Sequence, residues 1–161
     1  MNFFDINSIE IKNRLIYEND LVFALPSNMP IVPGHTLICP KRIVSNINEL
    51  TQKELLAIFD LQKHIKEAMF KIFNADGFNY AWNEGVLAGQ TVNHLHLHIL
   101  PRKKDDDGII NYEPREFLYR PTNNRPISPE QELIEIAELI KKNLSLKNSR
   151  GRYASPSGNS F

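Results

Sequence analysis

Residues 90–100 read Gln90-Thr-Val-Asn-His94-Leu-His96-Leu-His98-Ile-Leu100, and three of the chain's five histidines fall at every second position of this stretch. Neighbouring side chains of a β-strand point to opposite faces of a sheet. The alternation therefore predicts a strand over residues 94–100, with the three imidazoles on one face and the intervening aliphatic side chains in the core. On a helix the same spacing would scatter the histidines around the axis.

Capping residues mark the starts of two helices, one on each side of this strand in the chain. Thr51 followed by Glu54 is a capping box, and apolar residues then recur at three- and four-residue spacing until residues 74–77 end the helix. Ser128 and Pro129 repeat the start signal, with proline at the first helical position. The second helix is shorter, and its apolar stripe consists of Leu133, Ile136, Ala137 and Ile140.

Four other segments have the composition of strands, at residues 14–19, 21–25, 36–39 and 78–82. The first two flank the turn-prone pair Asn19-Asp20 and predict a hairpin. Parallel strands would need a helical crossover after nearly every strand, so the single long helix favours an antiparallel sheet. The predicted fold class is α+β, a five-stranded antiparallel sheet with the long helix and a C-terminal helix packed on it. We expect one domain over residues 1–146 and a flexible tail over residues 147–161.

Composition excludes several classes of function. The chain has 161 residues, and its 19 basic and 19 acidic residues give a formal net charge of 0, so we expect no binding along a nucleic-acid polymer. The longest unbroken apolar run, Leu21 to Leu25, is far shorter than the roughly 18 residues of a membrane helix. The first residues lack the pattern of a secretory signal, and one cysteine cannot form an internal disulfide. These features favour a cytoplasmic protein without membrane partners.

The three alternating imidazoles allow three kinds of chemistry. A metal site would have to span outer histidines about 13 Å apart along the strand, although two of the three could chelate an ion. The histidines could also be polar side chains of a solvated sheet face. The third reading is phosphorus chemistry, in which a neutral imidazole attacks a phosphate and a neighbouring imidazole assists the leaving group. Gly85 and Gly89 precede the histidines and let bare backbone amides approach an anion, which favours this reading.

The histidine stretch resembles the signature of the histidine triad proteins, which are nucleotide hydrolases and transferases. Two further segments are similar to that family: Ile31-Val-Pro-Gly-His35-Thr-Leu-Ile-Cys-Pro-Lys-Arg42, and Ala88-Gly-Gln-Thr-Val just before the histidines. Pro101-Arg-Lys103 resembles the fragile histidine triad branch, whose members cleave dinucleoside polyphosphates. The resemblance covers about residues 5 to 104.

The resemblance implies a role for each matching residue. His96 resembles the nucleophile that becomes nucleotidylated, and His98 the residue that contacts the phosphate and helps the leaving group depart. His94 and His35 resemble the pair that orients the nucleophile. The resemblance also implies a substrate-binding set, in which Gln90 and Thr91 can bond phosphate oxygens: Ser27, Asn28, Asn83, Gly89, Gln90, Thr91 and Val92. It implies no required metal or cofactor, with any divalent cation carried by the nucleotide substrate.

Two positions depart from the family pattern. Asn83 stands where the fragile branch usually has glutamine, and its shorter side chain bears on the choice of leaving group. Ser27 stands where the family places Asp or Asn in the ribose pocket, so it offers one hydroxyl, with Asn28 next to it able to compensate. Four apolar residues are candidates either for a nucleobase slot or for the core: Phe4, Ile6, Phe23 and Leu25.

From these residues we expect a homodimeric hydrolase that cleaves the α-phosphate linkage of a diadenosine triphosphate or tetraphosphate through a nucleotidyl-histidine. Asn83 keeps open a nucleoside phosphoramidase or an adenylate-removing hydrolase. A sensor or scaffold that binds nucleotide without turnover remains a further possibility.

Overall fold

The computed structural model describes residues 3–104, 106 and 127–146. The elements in chain order are α1 (Ile9–Asn13), β1 (Tyr17–Glu18), β2 (Val22–Pro26), β3 (Thr36–Pro40), a 3₁₀ helix (Ile47–Glu49), α2 (Gln52–Phe73), β4 (Gly77–Trp82), a second 3₁₀ helix (Val86–Ala88), β5 (Leu97–Arg102) and α3 (Glu130–Asn143). The predicted tail, residues 147–161, lies outside the described residues.

The strands form one five-stranded sheet in the order β1-β2-β3-β5-β4, and every neighbouring pair is antiparallel. β5 lies between β3 and β4, with His98 opposite Leu37 on one side and Ala81 on the other. This arrangement confirms the predicted α+β fold class. It also places the last histidine of the triad in the interior of the sheet, where both neighbouring strands restrict its backbone.

Helices α2 and α3 cover one face of the sheet and form the main core. Their buried side chains include Ile58, Ile65 and Met69 from α2 and Ile140 from α3, which pack with Ile99 of β5. A smaller cluster lies on the opposite face and contains Ile11, Phe23, Leu25, Leu37 and Cys39, with Phe4, Ile6 and Leu15 packed against it. The histidines belong to this second face, which α2 and α3 do not cover.

The predicted start of the long helix is confirmed, and the predicted start of α3 is wrong. Thr51 and Glu54 form the complete capping box, and Asn74 ends α2 in a left-handed conformation. Pro129 is the N-cap of α3 rather than its first helical residue, and no side-chain hydrogen bond caps that end. Proline is tolerated at this position as well, because the N–H that it lacks has no hydrogen-bond partner within the helix.

Two strand predictions also needed correction. The hairpin exists, but β1 covers only Tyr17–Glu18, and residues 9–13 before it form the helix α1, which the sequence analysis did not predict. The Asn19 side chain accepts hydrogen bonds from the N–H groups of both Leu21 and Val22, which explains the tight turn. β5 begins at Leu97, so His94 and His96 precede the strand instead of lying within it. None of the helices described here is both long and apolar enough to cross a bilayer.

Candidate active site

The three triad histidines remain together although only His98 lies in β5. His94 and His96 are buried, with 1% and 7% of their surfaces exposed, and His98 is half-buried. The rings of His96 and His98 lie 4.6 Å apart between centroids. The backbone before the strand is held by a hydrogen bond from the Leu95 N–H to the Val44 carbonyl, 2.7 Å long. The alternation of histidine and aliphatic side chains therefore extends to residues 94–96, before β5 begins.

His96 is arranged as a neutral base with one nitrogen available. Its Nδ1 lies 2.8 Å from the His94 carbonyl oxygen, which can only accept, so the ring carries its proton on Nδ1. The lone pair is then on Nε2, which has no hydrogen-bond partner in the described part of the chain. Burial lowers the pKa of His96, so the imidazole stays neutral at pH 7. A neutral imidazole with a free Nε2 is the form that can attack phosphorus.

His98 and His35 form a chain of hydrogen bonds with a fixed direction. The Ile31 N–H donates to Nδ1 of His35 over 3.2 Å, so His35 carries its own proton on Nε2. That Nε2 lies 2.9 Å from Nδ1 of His98 and donates to it. The proton of a neutral His98 is therefore on Nε2. The resemblance predicted that His35 orients the nucleophile, but in the structure His35 hydrogen-bonds His98.

His94 supports the nucleophile through its backbone. Its carbonyl accepts the proton of His96, while its ring donates from Nε2 to the Pro40 carbonyl at 2.8 Å. Burial lowers the pKa of the His94 imidazole, and the ring of Phe23 packs against it at 6.1 Å. The neutral ring anchors this part of the backbone to the end of β3.

Phe4 and Ile6 pack against the small core cluster, and Phe4 also contacts the histidines. The Phe4 ring is 5.3 Å from the His96 ring in an edge-to-face arrangement and 5.9 Å from the His94 ring. Phe23 and Leu25 are buried in the cluster, whereas Phe4 and Ile6 are only partly buried. Of the four nucleobase candidates, Phe23 and Leu25 are therefore core residues, Phe4 and Ile6 keep accessible surface, and Phe4 lies next to His96.

The glycine loop, residues 83–90, is closed by its own hydrogen bonds. Gly85 and Gly89 adopt φ angles of 81° and 89°, which fit glycine, and bracket the second 3₁₀ helix. The N–H groups of residues 88, 89 and 90 bond to carbonyls within the loop, and the N–H of Gly85 bonds to Oε1 of Gln90. These amides are therefore not available to an anion. No backbone or side-chain acceptor among the described residues takes the N–H groups of residues 91–93, just before the triad.

The predicted substrate-binding side chains fall into two groups. The carboxamide of Gln90, which the resemblance assigns to phosphate, is bonded at both ends to backbone, through Oε1 to Gly85 and through Nε2 to the Ser45 carbonyl over 2.9 Å. Thr91 is exposed, Val92 is half-buried, and the Asn83 amide lies beside Gly89, 3.6 Å from where a Cβ would stand. This second group borders the free amides of residues 91–93.

Ser27 and Asn28 follow β2 and lie beside His35. The N–H of Ser27 donates to the His35 carbonyl over 2.9 Å, and Ser27 is buried while Asn28 is exposed. The Asn28 carbonyl accepts from the N–H of Ser128, over 2.9 Å. The ribose-pocket candidates are thus linked through backbone to the same loop that positions His98.

Sequence reasoning missed the backbone groups that organise the histidines. The Pro40 carbonyl, the Ile31 N–H and the Ser45 carbonyl carry no side-chain signal, because every residue has a backbone carbonyl and every residue except proline has an N–H. Glu84 was also missed, although its Oε1 accepts from the N–H of Ile47 over 2.9 Å. Among residues 3–104, 106 and 127–146, no group of three or more His, Cys, Asp or Glu side chains is placed to hold a metal ion.

Comparisons with known proteins identify the family of this chain. Residues 8–105 match the family model described as the HIT domain. A bis(5'-adenosyl)-triphosphatase from Dictyostelium discoideum is 39% identical over 115 residues, covering 66% of this chain and 77% of that protein. An asymmetrical bis(5'-nucleosyl)-tetraphosphatase from Schizosaccharomyces pombe is 38% identical over 96 residues, covering 60% of this chain and 53% of that protein.

Solved structures give the same result. The crystal structure of Plasmodium falciparum diadenosine triphosphate hydrolase in complex with cyclomarin A superposes with a TM-score of 0.66 at 28% identity, covering 81% of this chain and 76% of that one. A HIT-like protein from Bartonella henselae superposes with a TM-score of 0.67 at 30% identity, covering 88% and 98%. The matched region includes the whole glycine loop and all the triad histidines, so the protein belongs to the histidine triad (HIT) family.

Proposed function

We propose that this protein hydrolyses dinucleoside polyphosphates, such as diadenosine triphosphate or tetraphosphate, at the α-phosphate through a nucleotidyl intermediate on His96. The observation that carries the proposal is the hydrogen bond from Nδ1 of His96 to the His94 carbonyl, which leaves Nε2 as the nucleophilic atom. The names of the triphosphatase and tetraphosphatase relatives support the choice of substrate.

The first step forms a bond between Nε2 of His96 and the α-phosphorus and breaks the bond from that phosphorus to the bridging oxygen. The imidazole becomes positively charged, and the His94 carbonyl accepts a hydrogen bond from its Nδ1–H, which stabilises this charge. The leaving nucleotide departs with the electron pair of the broken bond. In this step we assign the hydrogen bond to that oxygen to the Nε2–H of His98, whose Nδ1 accepts from His35.

The second step regenerates the enzyme. Water attacks the phosphorus, the bond from phosphorus to Nε2 of His96 breaks, and its electron pair returns to the imidazole. The proton of the water goes to solvent, and a nucleoside monophosphate leaves. Both steps use only groups of this chain and water, and the α-phosphate charge is met by the free amides of residues 91–93 and the Nε2–H of His98.

The direct test combines a product assay with a trapping experiment. Incubation with diadenosine triphosphate should release AMP and ADP, and rapid acid-free quenching followed by mass spectrometry should find an adenylyl group on His96. A parallel assay on adenosine phosphoramidate distinguishes a dinucleoside polyphosphate hydrolase from a nucleoside phosphoramidase. A higher rate on the phosphoramidate than on diadenosine triphosphate would assign the phosphoramidase activity. Tight binding of the dinucleotide with neither product nor adduct would show that the protein is a nucleotide sensor.

We also propose that two copies of the chain associate through the β4 edge. β4 is an edge strand, and strands at an edge have unpaired backbone groups that can pair with a second copy. Tyr80 of β4 is 41% exposed and accepts a hydrogen bond from Gln62 of α2, and three apolar side chains of α2 are also exposed, Leu56, Phe59 and Phe70. Analytical ultracentrifugation should find a dimer, and Phe59→Glu should shift the equilibrium towards monomer without unfolding the chain.

A further inference from the structure

Three hydrogen bonds join one short segment to both the glycine loop and the triad. We call residues 44–47 the bracing segment. The Val44 carbonyl accepts from the Leu95 N–H at 2.7 Å, and the Ser45 carbonyl accepts from Nε2 of Gln90 at 2.9 Å. The N–H of Ile47 donates to Oε1 of Glu84, also at 2.9 Å. The bracing segment therefore fixes the loop and the triad backbone relative to each other.

Gln90 connects the bracing segment to the closed form of the loop. Its Oε1 accepts from the N–H of Gly85 at 2.7 Å, and its own backbone N–H donates to the Gly85 carbonyl at 3.1 Å. The residue is 8% exposed, so its carboxamide is buried at the base of the loop. One side chain thus bridges the two ends of the loop and ties them to Ser45.

The free amides lie between these two attachments. Residues 91–93 follow Gln90 directly and precede His94, so their backbone is fixed at one end by Gln90 and at the other by the bond from Leu95 to Val44. A chain held at both ends over so few residues has little freedom to reorient its N–H groups. The position of these amides relative to His96 then depends on the bracing contacts.

We propose that Gln90 and Glu84 are positioning residues, which hold the free N–H groups of residues 91–93 where they bind the substrate phosphate beside His96. This inference rests on the proposed hydrolysis. It differs from the role that the family resemblance gives Gln90, because here the carboxamide acts on the loop and not on the phosphate.

The test substitutes Gln90 and Glu84 one at a time. Gln90→Ala removes both side-chain hydrogen bonds, to the Gly85 N–H in the loop and to the Ser45 carbonyl in the bracing segment. We expect kcat to fall roughly 10–100-fold, because small misplacements of reacting groups have effects of this size, with KM changed less than about threefold. Glu84→Ala should produce a smaller loss, and Glu84→Gln should restore activity because it keeps the acceptor for the Ile47 N–H. Gln131→Ala is the matched control, since Gln131 is exposed on α3 and its side chain donates to Glu135 of the same helix.

Hydrogen exchange of the same variants provides a readout that does not depend on turnover. Backbone amides of residues 84–93 should exchange faster in Gln90→Ala than in the wild type, while those of α2 should be unchanged. If the wild type shows no hydrolysis, faster exchange alone still establishes the bracing contacts, and only the proposed reaction is lost. Unchanged exchange, or a rise in KM with kcat intact, would overturn the inference, the latter because it would make Gln90 a substrate ligand.

Discussion

The two faces of the segment from His94 to Ile99 are held in place by different interactions. On one face, Leu97 and Ile99 pack among side chains of α2 and α3, and no directional contact specifies their orientation. On the other face, each imidazole has a hydrogen-bond partner at 2.8–2.9 Å that fixes which ring nitrogen carries the proton. The apolar face depends on side chains of the right size, whereas the histidine face depends on the orientation of each ring and its hydrogen bond.

This difference separates stability from activity. Hydrophobic contacts are non-directional and tolerate replacement by side chains of similar size, so the apolar face determines mainly how firmly the sheet is held. A hydrogen-bonded imidazole has one productive tautomer, so the histidine face determines whether the ring can react. Substitutions on the two faces should therefore produce opposite combinations of stability and turnover.

The largest expected effect is the loss of turnover in His96→Ala. Removing a nucleophile costs several powers of ten, so we expect kcat on diadenosine triphosphate to fall by at least about a thousandfold. The melting temperature should fall less than in a truncation of the main core, because among the described residues the ring makes one hydrogen bond, to the His94 carbonyl. His64→Ala, the same truncation on α2, is the control and should retain normal turnover. Residual activity above about one per cent in His96→Ala would exclude the covalent step.

The reverse combination is expected for Ile99→Ala. Ile99 is fully buried in the main core, and truncating such a residue lowers the free energy of unfolding by about 2–5 kcal/mol. Because its side chain points away from the histidines, kcat per folded molecule should stay within about twofold of the wild type. Urea denaturation measures the first quantity and active-site titration the second. A large fall in kcat at full folding would show that the two faces are coupled.

The sequence predicted which side chains share a face of the sheet, but not the hydrogen-bond partners that orient the imidazoles. Period-two spacing assigns His96 and Leu97 to opposite sides wherever the backbone is extended, and this assignment holds although β5 begins only at Leu97. The tautomer of His96 is fixed by the His94 carbonyl two residues away, whereas the Pro40 carbonyl that orients His94 and the His35 ring that orients His98 lie more than fifty residues away in the chain. Their placement follows from the pairing of β3 with β5, so it emerges only once the sheet is assembled.

The same reasoning applies to Gln90 and His35, whose roles with the substrate under the resemblance stay predictions. A resemblance transfers residue types by position, and both residues occupy the expected positions. What they contact depends on neighbouring backbone, and here Ser45 and Gly85 take up the carboxamide while His98 accepts from the His35 ring.

A smaller effect is expected from breaking the His35 contact. In His35→Ala, His98 loses the donor to its Nδ1, so its proton can occupy either nitrogen. One neutral hydrogen bond contributes about 0.5–1.5 kcal/mol, which corresponds to a fall in kcat of roughly tenfold or less. Nitrogen-15 chemical shifts of the ring should show His98 protonated on Nε2 in the wild type and a mixture in the variant. Identical shifts in both proteins would remove His35 from this role.

The smallest effect is a pH dependence that distinguishes the buried imidazoles from ordinary ones. Burial lowers the pKa of both His94 and His96 in the folded protein, whereas in the unfolded chain each titrates near 6.5. Below that pH the unfolded state binds more protons, so stability should fall as the pH drops from about 6.5 through the lowered pKa values and stay level above. Turnover should follow His96 alone, with the acid limb of kcat/KM below about pH 6.5.

Comparing the wild type with His96→Ala separates the contributions of the two rings to this dependence. The variant lacks one titrating group, so the loss of stability on acidification should be shallower than in the wild type, while the part contributed by His94 remains. Urea titrations at a series of pH values measure both slopes. An acid limb of kcat/KM at or above about pH 6.5 would mean that His96 reacts from a solvated environment. The contrast between the packed apolar face and the buried, hydrogen-bonded histidine face would then not hold for His96.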